Sequence, residues 1–230
     1  MKSSRSHYFT AWELVLWLTS LFMILVSFAC FDRQNLLSLI ASLIGVTSLI
    51  FCAKGHPFGQ ILMIIFGILY GIISYTFAYY GEMITYVGMT APMALISLIS
   101  WIRNPYEKGS SEVAVAKLTR VDAVLLPVLS VSVTAIFYFI LRYLGTANLI
   151  PSTFSVSTSF AAAYLTFRRS PYYAAVYALN DIVLIVLWTL ASLSDISYVS
   201  VTVCFLLFLV NDLYGFISWK RMQKRQTKKL

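Results

Sequence analysis

Long apolar runs alternate with short polar joints along the whole chain. The hydrocarbon core of a bilayer is about 30 Å thick, so a helix needs roughly 20 apolar residues to cross it. By that measure the sequence predicts eight transmembrane helices, and several joints are short enough to require antiparallel neighbours. The predicted spans are Ala11–Phe31, Leu36–Ala53, Gln60–Tyr80, Met83–Ile102, Ala123–Leu144, Pro151–Phe167, Pro171–Leu190 and Ser197–Trp219.

Composition supports this pattern. Of the 230 residues, 60% are hydrophobic and only 11% are charged, and the mean hydropathy is +0.81. These values exclude a soluble domain and predict an all-α integral membrane protein.

The net charge of +8 would suit a nucleic-acid partner, but its distribution indicates topology instead. With a cytoplasmic N-terminus, fifteen of the 17 Lys and Arg residues fall on inner segments, and only Arg33 and Arg142 fall outside. We therefore expect a multi-pass protein of the cell membrane, surrounded by the lipid bilayer, with both termini cytoplasmic and no nucleic-acid partner. Residues 220–230 are predicted to be a basic cytoplasmic tail that orients the chain, with binding of anionic lipid as the alternative.

An internal repeat predicts the architecture of a single membrane domain over residues 1–230. Lys54-Gly55-His56-Pro57 is matched by Arg168-Arg169-Ser170-Pro171 at equivalent joints, and Ile99–Arg103 is matched by Ile217–Arg221. Two three-helix repeats, 36–102 and 151–219, would run parallel to each other because helix 123–144 carries the chain back across the membrane. Helix 11–31 is then an additional N-terminal helix.

Polar residues at membrane depth are the main candidates for function. Asn180 lies about 14 Å along its helix from Pro171, near the midplane, and the neighbouring carboxylate of Asp181 should face the interior of the bundle because charge is costly in lipid. Helical spacing adds Tyr177 and Trp188 to the same stripe, which suits stacking of a flat ring. The alternative is a packed aromatic seam in which Asn180 bonds a neighbouring backbone.

The last helix carries a second pair, Asn211 and Asp212. Asn211 is expected to contact the solute from across the central transport path. Asp212 either faces that path or is hydrated near its cytoplasmic opening. In the fourth helix Tyr86 and Thr90 belong to a mixed polar stripe, and Pro92 should bend that helix, as a hinge or as a static kink.

Enzyme and cofactor signatures are absent from the sequence. There is no phosphate-binding loop for ATP, no nucleophile-base set, and no zinc-type grouping around His7, His56 or the three cysteines. We expect no cofactor and no bound metal. Three hypotheses remain: a facilitator for a solute with a flat ring and a sugar, a proton-coupled transporter that uses Asp181, and, more remotely, an intramembrane enzyme.

The chain also resembles the PnuC family of bacterial vitamin-precursor transporters, and within it the nicotinamide riboside transporters. The resemblance covers nearly all of the chain after the first helix. It rests on Tyr70-Gly71, on Gly81–Tyr86 with Pro92-Met93, on Ser100–Tyr106, on Asn180-Asp181 with Trp188, and on Asn211–Gly215 with Trp219.

The resemblance implies a fold similar to the SWEET sugar transporters and facilitated diffusion of nicotinamide riboside for NAD biosynthesis, with trapping by a separate phosphorylating enzyme. The positively charged pyridinium ring of nicotinamide riboside suits a site with aromatic faces and a carboxylate. Thiamine shares that charge, whereas riboflavin and deoxynucleosides do not. Some members have Asn where this chain has Phe66, so the substrate contacts made by the first repeat are left open. The sequence also leaves the oligomeric state open, and a homo-oligomer is one of the alternatives. The expected substrate-binding residues are Tyr70, Tyr86, Thr90, Tyr177, Asn180, Asp181, Trp188, Asn211 and Asp212.

Overall fold

The computed structural model describes residues 8–76, 80–146 and 148–228, which are almost entirely helical. Lys2, Arg5, His7 and Lys229, and the stretch 77–79 of the predicted third span, lie outside the described residues. The helices are α1 (Ala11–Phe31), α2 (Leu36–Ala53), α3 (Phe58–Thr76), α4 (Tyr80–Thr85), α5 (Ala91–Arg103), α6 (Arg120–Tyr143), α7 (Leu149–Phe167), α8 (Tyr173–Ser192) and α9 (Val199–Lys228).

These helices make eight crossings within the described part of the chain, because α4, a π-helical turn over Tyr86–Thr90 and α5 are continuous. Seven segments of the described residues are long and apolar enough to span a membrane. The helix that falls below that hydropathy is α7, whose serine and threonine residues make it more polar than its neighbours. The predicted count of eight is therefore consistent with the structure.

Most predicted boundaries lie within a few residues of the observed ones, and those of α1 and α2 coincide with the prediction. The largest difference is α9, which continues past the predicted end at Trp219 to Lys228. The extension is held by Gln226, whose Nε2 donates to Glu112 Oε1 at 2.8 Å and whose Oε1 accepts from the Val115 N–H at 2.8 Å. The α5–α6 connection therefore packs against a helix that the sequence predicts as a solvated tail.

The helices alternate in direction, which gives the bundle two distinct ends. We call the end that holds Lys54, Arg168 and the end of α9 the basic end, and the opposite end the distal end. The core lies between α2, α3, α8 and α9, with α5 and α7 closing the sides and α1 packed on α2 and α9.

At the basic end, the two predicted repeats bind each other crosswise. In each, a Ser-Trp pair at the basic end donates to the last carbonyl groups of a helix in the other repeat. The bonds are Ser100 to Phe167 at 2.9 Å, Trp101 to Thr166 at 2.9 Å, Ser218 to Ala53 at 2.7 Å and Trp219 to Cys52 at 2.8 Å. The two indole rings meet with centroids 5.3 Å apart. This reciprocity supports the repeat that the sequence predicts.

Each three-helix group is also preceded by a helix docked in the same manner. In both cases a capping box holds the first turn of the preceding helix, and its carboxylate pairs with the basic residue that begins the equivalent joint. The pairs are Glu13 of α1 with Lys54 at 3.2 Å and Asp122 of α6 with Arg168 at 2.7 Å. The additional N-terminal helix and the linker helix are therefore positioned alike.

Candidate functional site

A small cavity lies midway through the bundle, enclosed by α2, α3, the π-helical turn, α7, α8 and α9. Its volume is about 50 Å³. The polar groups that line it are Tyr86, Thr90, Ser159, Tyr177, Asn180, Asp181 and Asp212. Six of the nine predicted binding residues therefore border one cavity, and Ser159 joins them.

Asn180 is fixed in this cavity by hydroxyl groups of α7. Its Oδ1 accepts from Thr158 Oγ1 at 2.8 Å and from Ser159 Oγ at 3.0 Å. The side chain is only 4% exposed, and with the carbonyl oxygen engaged the Nδ2 amide is the group left for a molecule in the cavity. The partner of Asn180 is thus a pair of side chains and not the backbone.

Two carboxyl groups meet at the cavity wall. Asp181 from α8 and Asp212 from α9 are both buried and interact side chain to side chain. No hydroxyl or amide group of the described residues donates to Asp181 Oδ2. Neighbouring carboxyl groups can share one proton and still leave one negative charge. Asp212 borders the central cavity and is 4% exposed. It is therefore buried in the bundle and does not lie in solvent at the basic end.

Aromatic rings close the opposite side of the cavity. The Phe66 ring lies 4.9 Å from that of Tyr70 and 5.5 Å from that of Phe208, centroid to centroid, and the Tyr70 and Tyr86 centroids are 5.0 Å apart. Phe66 is therefore a packing element of the cavity wall. A substrate on this side meets ring faces and edges.

The π-helical turn brings Tyr86 and Thr90 to the cavity. Pro92 lacks the N–H that would bond the preceding turn, and wide turns of this kind often occur at functional sites. The turn packs against glycines of α3: a Cβ atom on Gly71 would lie 2.3 Å from Val87 Cγ2. The bend expected at Pro92 thus takes the form of a widened turn immediately before it.

Three predicted residues do not line the central cavity. Tyr70 and Trp188 lie closer to the distal end, where both border a narrow pocket with Asp32 and Asn35. Asn211 faces α1, and its Nδ2 donates to Ser20 Oγ at 3.0 Å and to the Leu207 carbonyl at 2.8 Å. Asn211 therefore does not face the central cavity, contrary to the expected contact with the solute. One residue step turns a helix by about 100°, so Asp212 faces the cavity while Asn211 faces α1.

Two residues near the path were not among the predicted candidates. Ser159 belongs to the hydroxyl-rich α7, a feature that the sequence shows but that is typical of close packing as well. Glu82 is the other. It is 6% exposed and borders a separate cavity near the distal end, and its place in the Gly81–Tyr86 motif was the available signal.

Comparisons with known proteins agree on one family. A family model described as "Nicotinamide mononucleotide transporter" matches residues 35–221. The curated "Nicotinamide riboside transporter PnuC" of Neisseria mucosa is 27% identical over 201 residues, which are 86% of this chain and 76% of that protein. A solved structure, "Crystal structure of the Vitamin B3 transporter PnuC", superposes with a TM-score of 0.81 at 25% identity, covering 95% of this chain and 94% of the other. The matched span contains every residue that lines the central cavity.

Proposed function

Because the chain belongs to the nicotinamide mononucleotide transporter family, we propose that it is a multi-pass membrane transporter whose substrate is nicotinamide riboside. The family description names the mononucleotide, whereas the Neisseria mucosa relative is named for the riboside. The two ligands differ by a phosphate group, so the charge of the residues that line the cavity determines which of them binds more favourably.

The Asp181–Asp212 pair carries this choice. Among the described residues that line the central cavity there are two carboxyl groups and no Lys, Arg or His. A phosphate there would meet negative charge in a medium of low dielectric constant and would find no cationic partner. A riboside whose ring carries a fixed positive charge gains from the same carboxyl pair.

Each side chain has a proposed role in binding. Asn180 Nδ2 donates to a ribose hydroxyl or to the carboxamide oxygen, and the Tyr177 and Tyr86 rings offer faces for the pyridinium. Thr90 supplies a hydroxyl from the widened turn. Trp188 and Tyr70 act nearer the distal end, and Asn211 is left out of the proposed site because it bonds α1.

The present conformation is closed around the site. A space of about 50 Å³ holds a few water molecules at most, which is far less than a nucleoside needs. Binding therefore requires the aromatic wall around Phe66 and Phe208 to separate from α8. Such a rearrangement about a central site is the alternating access by which transporters of repeat architecture work.

We further propose facilitated diffusion across the cell membrane, with cytoplasmic phosphorylation by a separate enzyme trapping the product. The sequence has no nucleotide-binding loop, and fifteen basic residues on one side against two on the other support cytoplasmic termini.

A binding panel on the purified protein tests the substrate. We expect nicotinamide riboside to bind most tightly, thiamine more weakly, and riboflavin, deoxynucleosides and nicotinamide mononucleotide least. Tighter binding of the mononucleotide than of the riboside would contradict the role assigned to the carboxyl pair.

Proton coupling is the second candidate, and the same carboxyl pair is the observation that favours it, because two facing carboxyl groups can take up and release a proton. Uptake into proteoliposomes should be the same with and without an imposed proton gradient if the protein is a facilitator. Accumulation that disappears when a protonophore is added would establish coupling instead.

A further inference from the structure

A second cavity, separate from the central one, lies near the distal end. Its volume is about 100 Å³, and it is formed between the start of α4, the α6–α7 connection and the end of α8. It shares no lining residue with the central cavity. Glu82 stands four residues before Tyr86 and Trp188 stands four residues after Leu184, so this distal cavity lies about 6 Å further along both helices.

Two buried polar groups in the distal cavity lack partners. The Glu82 side chain is 94% buried, and no hydrogen bond or ion pair reaches its carboxylate within the described ranges 8–76, 80–146 and 148–228. The hydroxyl of Thr146, which lines the same cavity, is also buried, and none of the described residues hydrogen-bonds it. Because an unsatisfied buried polar group costs free energy, such groups indicate a ligand that the cavity receives.

The chemistry of the cavity wall indicates what that ligand is. Trp188 from α8 borders the cavity together with Glu82, and Leu187 and Ala191 supply apolar surface beside it. An indole face and a carboxylate in one apolar cavity suit a flat organic cation, which stacks on the ring and pairs with the charge. No Lys or Arg is among the described residues that line the cavity.

We propose that the distal cavity is a second binding site for the pyridinium ring of the substrate, in which Glu82 pairs with the positive charge and Trp188 stacks on the ring. This inference rests on the proposed function. The proposed topology places the cavity on the outer side of the central site, so the substrate occupies it before the aromatic wall opens. Glu82 thereby selects cationic over neutral nucleosides at entry.

A structural role for Glu82 is the competing explanation, since a carboxylate in the first turn stabilises a helix start. A pair of substrates separates the two roles: nicotinamide riboside, which is cationic, and its 1,4-dihydro form, which has the same sugar and carboxamide but a neutral ring. A variant that only weakens the helix affects both substrates alike.

The test compares wild type, Glu82→Gln and Glu82→Asp in proteoliposomes, with thermal stability in detergent as the check on folding. For Glu82→Gln we expect the KM of the cationic substrate to rise about tenfold while that of the dihydro form stays within about twofold. Glu82→Asp should keep most of the preference for the cation because the charge remains. Equal changes for both substrates, or no change for either, would overturn the proposal.

Direct binding keeps this result separate from the proposed function. The probe is 1-methylnicotinamide, a pyridinium cation without the sugar, titrated against purified wild type and Glu82→Gln. Binding that weakens about tenfold in the variant supports the distal site even if wild type fails to transport the riboside, an outcome that would refute only the proposed function. Identical binding by both proteins would contradict the distal site itself.

Discussion

Asn180→Ala is the most informative single change in the central cavity. The amide Nδ2 is the part of Asn180 left for the substrate, because Thr158 and Ser159 donate to its Oδ1 at 2.8 and 3.0 Å. A lost hydrogen bond to a desolvated polar group costs about 1–3 kcal/mol. At about 1.4 kcal/mol per decade, the dissociation constant for nicotinamide riboside should rise roughly tenfold to a hundredfold.

Folding should survive this change. Thr158 Oγ1 lies 2.9 Å from the Phe154 carbonyl, which can accept its proton when the amide is gone, so the cost in stability is about 1 kcal/mol. Isothermal titration on purified protein measures the affinity, and the thermal midpoint measures the stability.

Asn211→Ala is the matched control, because it is the same substitution at a second buried asparagine, in the neighbouring helix α9. Asn211 bonds Ser20 and the Leu207 carbonyl and does not border the cavity. It should lower the thermal midpoint and leave the affinity within about twofold. Our assignment of the site would be refuted if Asn180→Ala bound the riboside normally while Asn211→Ala did not.

Three further predictions concern charge, packing and topology. Asp181→Asn should weaken binding of nicotinamide riboside about tenfold more than binding of its neutral dihydro form, and equal losses would mean that the carboxyl pair is structural. Trp101→Phe and Trp219→Phe each remove one buried indole hydrogen bond, of 2.9 and 2.8 Å, so each should cost about 1–3 kcal/mol; a large difference in thermal midpoint between them would contradict their equivalence. A cysteine in place of Lys228 should resist an impermeant maleimide in intact cells while the exposed Cys30 near the distal end reacts, and ready labelling at position 228 would overturn cytoplasmic termini.

The sequence predicts the helices well because membrane thickness constrains their length. The bounds of α1 and α2 follow directly from apolar run length. The end of α9 does not, since Lys and Arg there indicate solvent. Only the fold shows that Gln226 is buried and donates to the Val113 carbonyl of the α5–α6 connection. Periodicity describes a single helix and cannot show which other segment will cover it.

The candidate site shows the same limit at the level of single residues. Helical spacing places Tyr177, Asn180 and Trp188 on one face of α8. In the structure Tyr177 and Asn180 line the central cavity, whereas Trp188 lines the cavity nearer the distal end. Adjacent residues such as Asn211 and Asp212 look equivalent in sequence, yet α1 covers one and the cavity receives the other. The direction of each face is set by tertiary packing, which a single sequence does not encode locally.

Counterflow in proteoliposomes measures whether the protein alone transports nicotinamide riboside. Vesicles that contain the purified protein are loaded with unlabelled nicotinamide riboside and diluted into a trace of the labelled compound, with no ATP and no ion gradient. We predict rapid accumulation of label that vesicles without protein do not show and that Asn180→Ala slows at low substrate concentration. No accumulation of labelled riboside, together with robust counterflow of thiamine or of nicotinamide mononucleotide, would contradict nicotinamide riboside as the substrate.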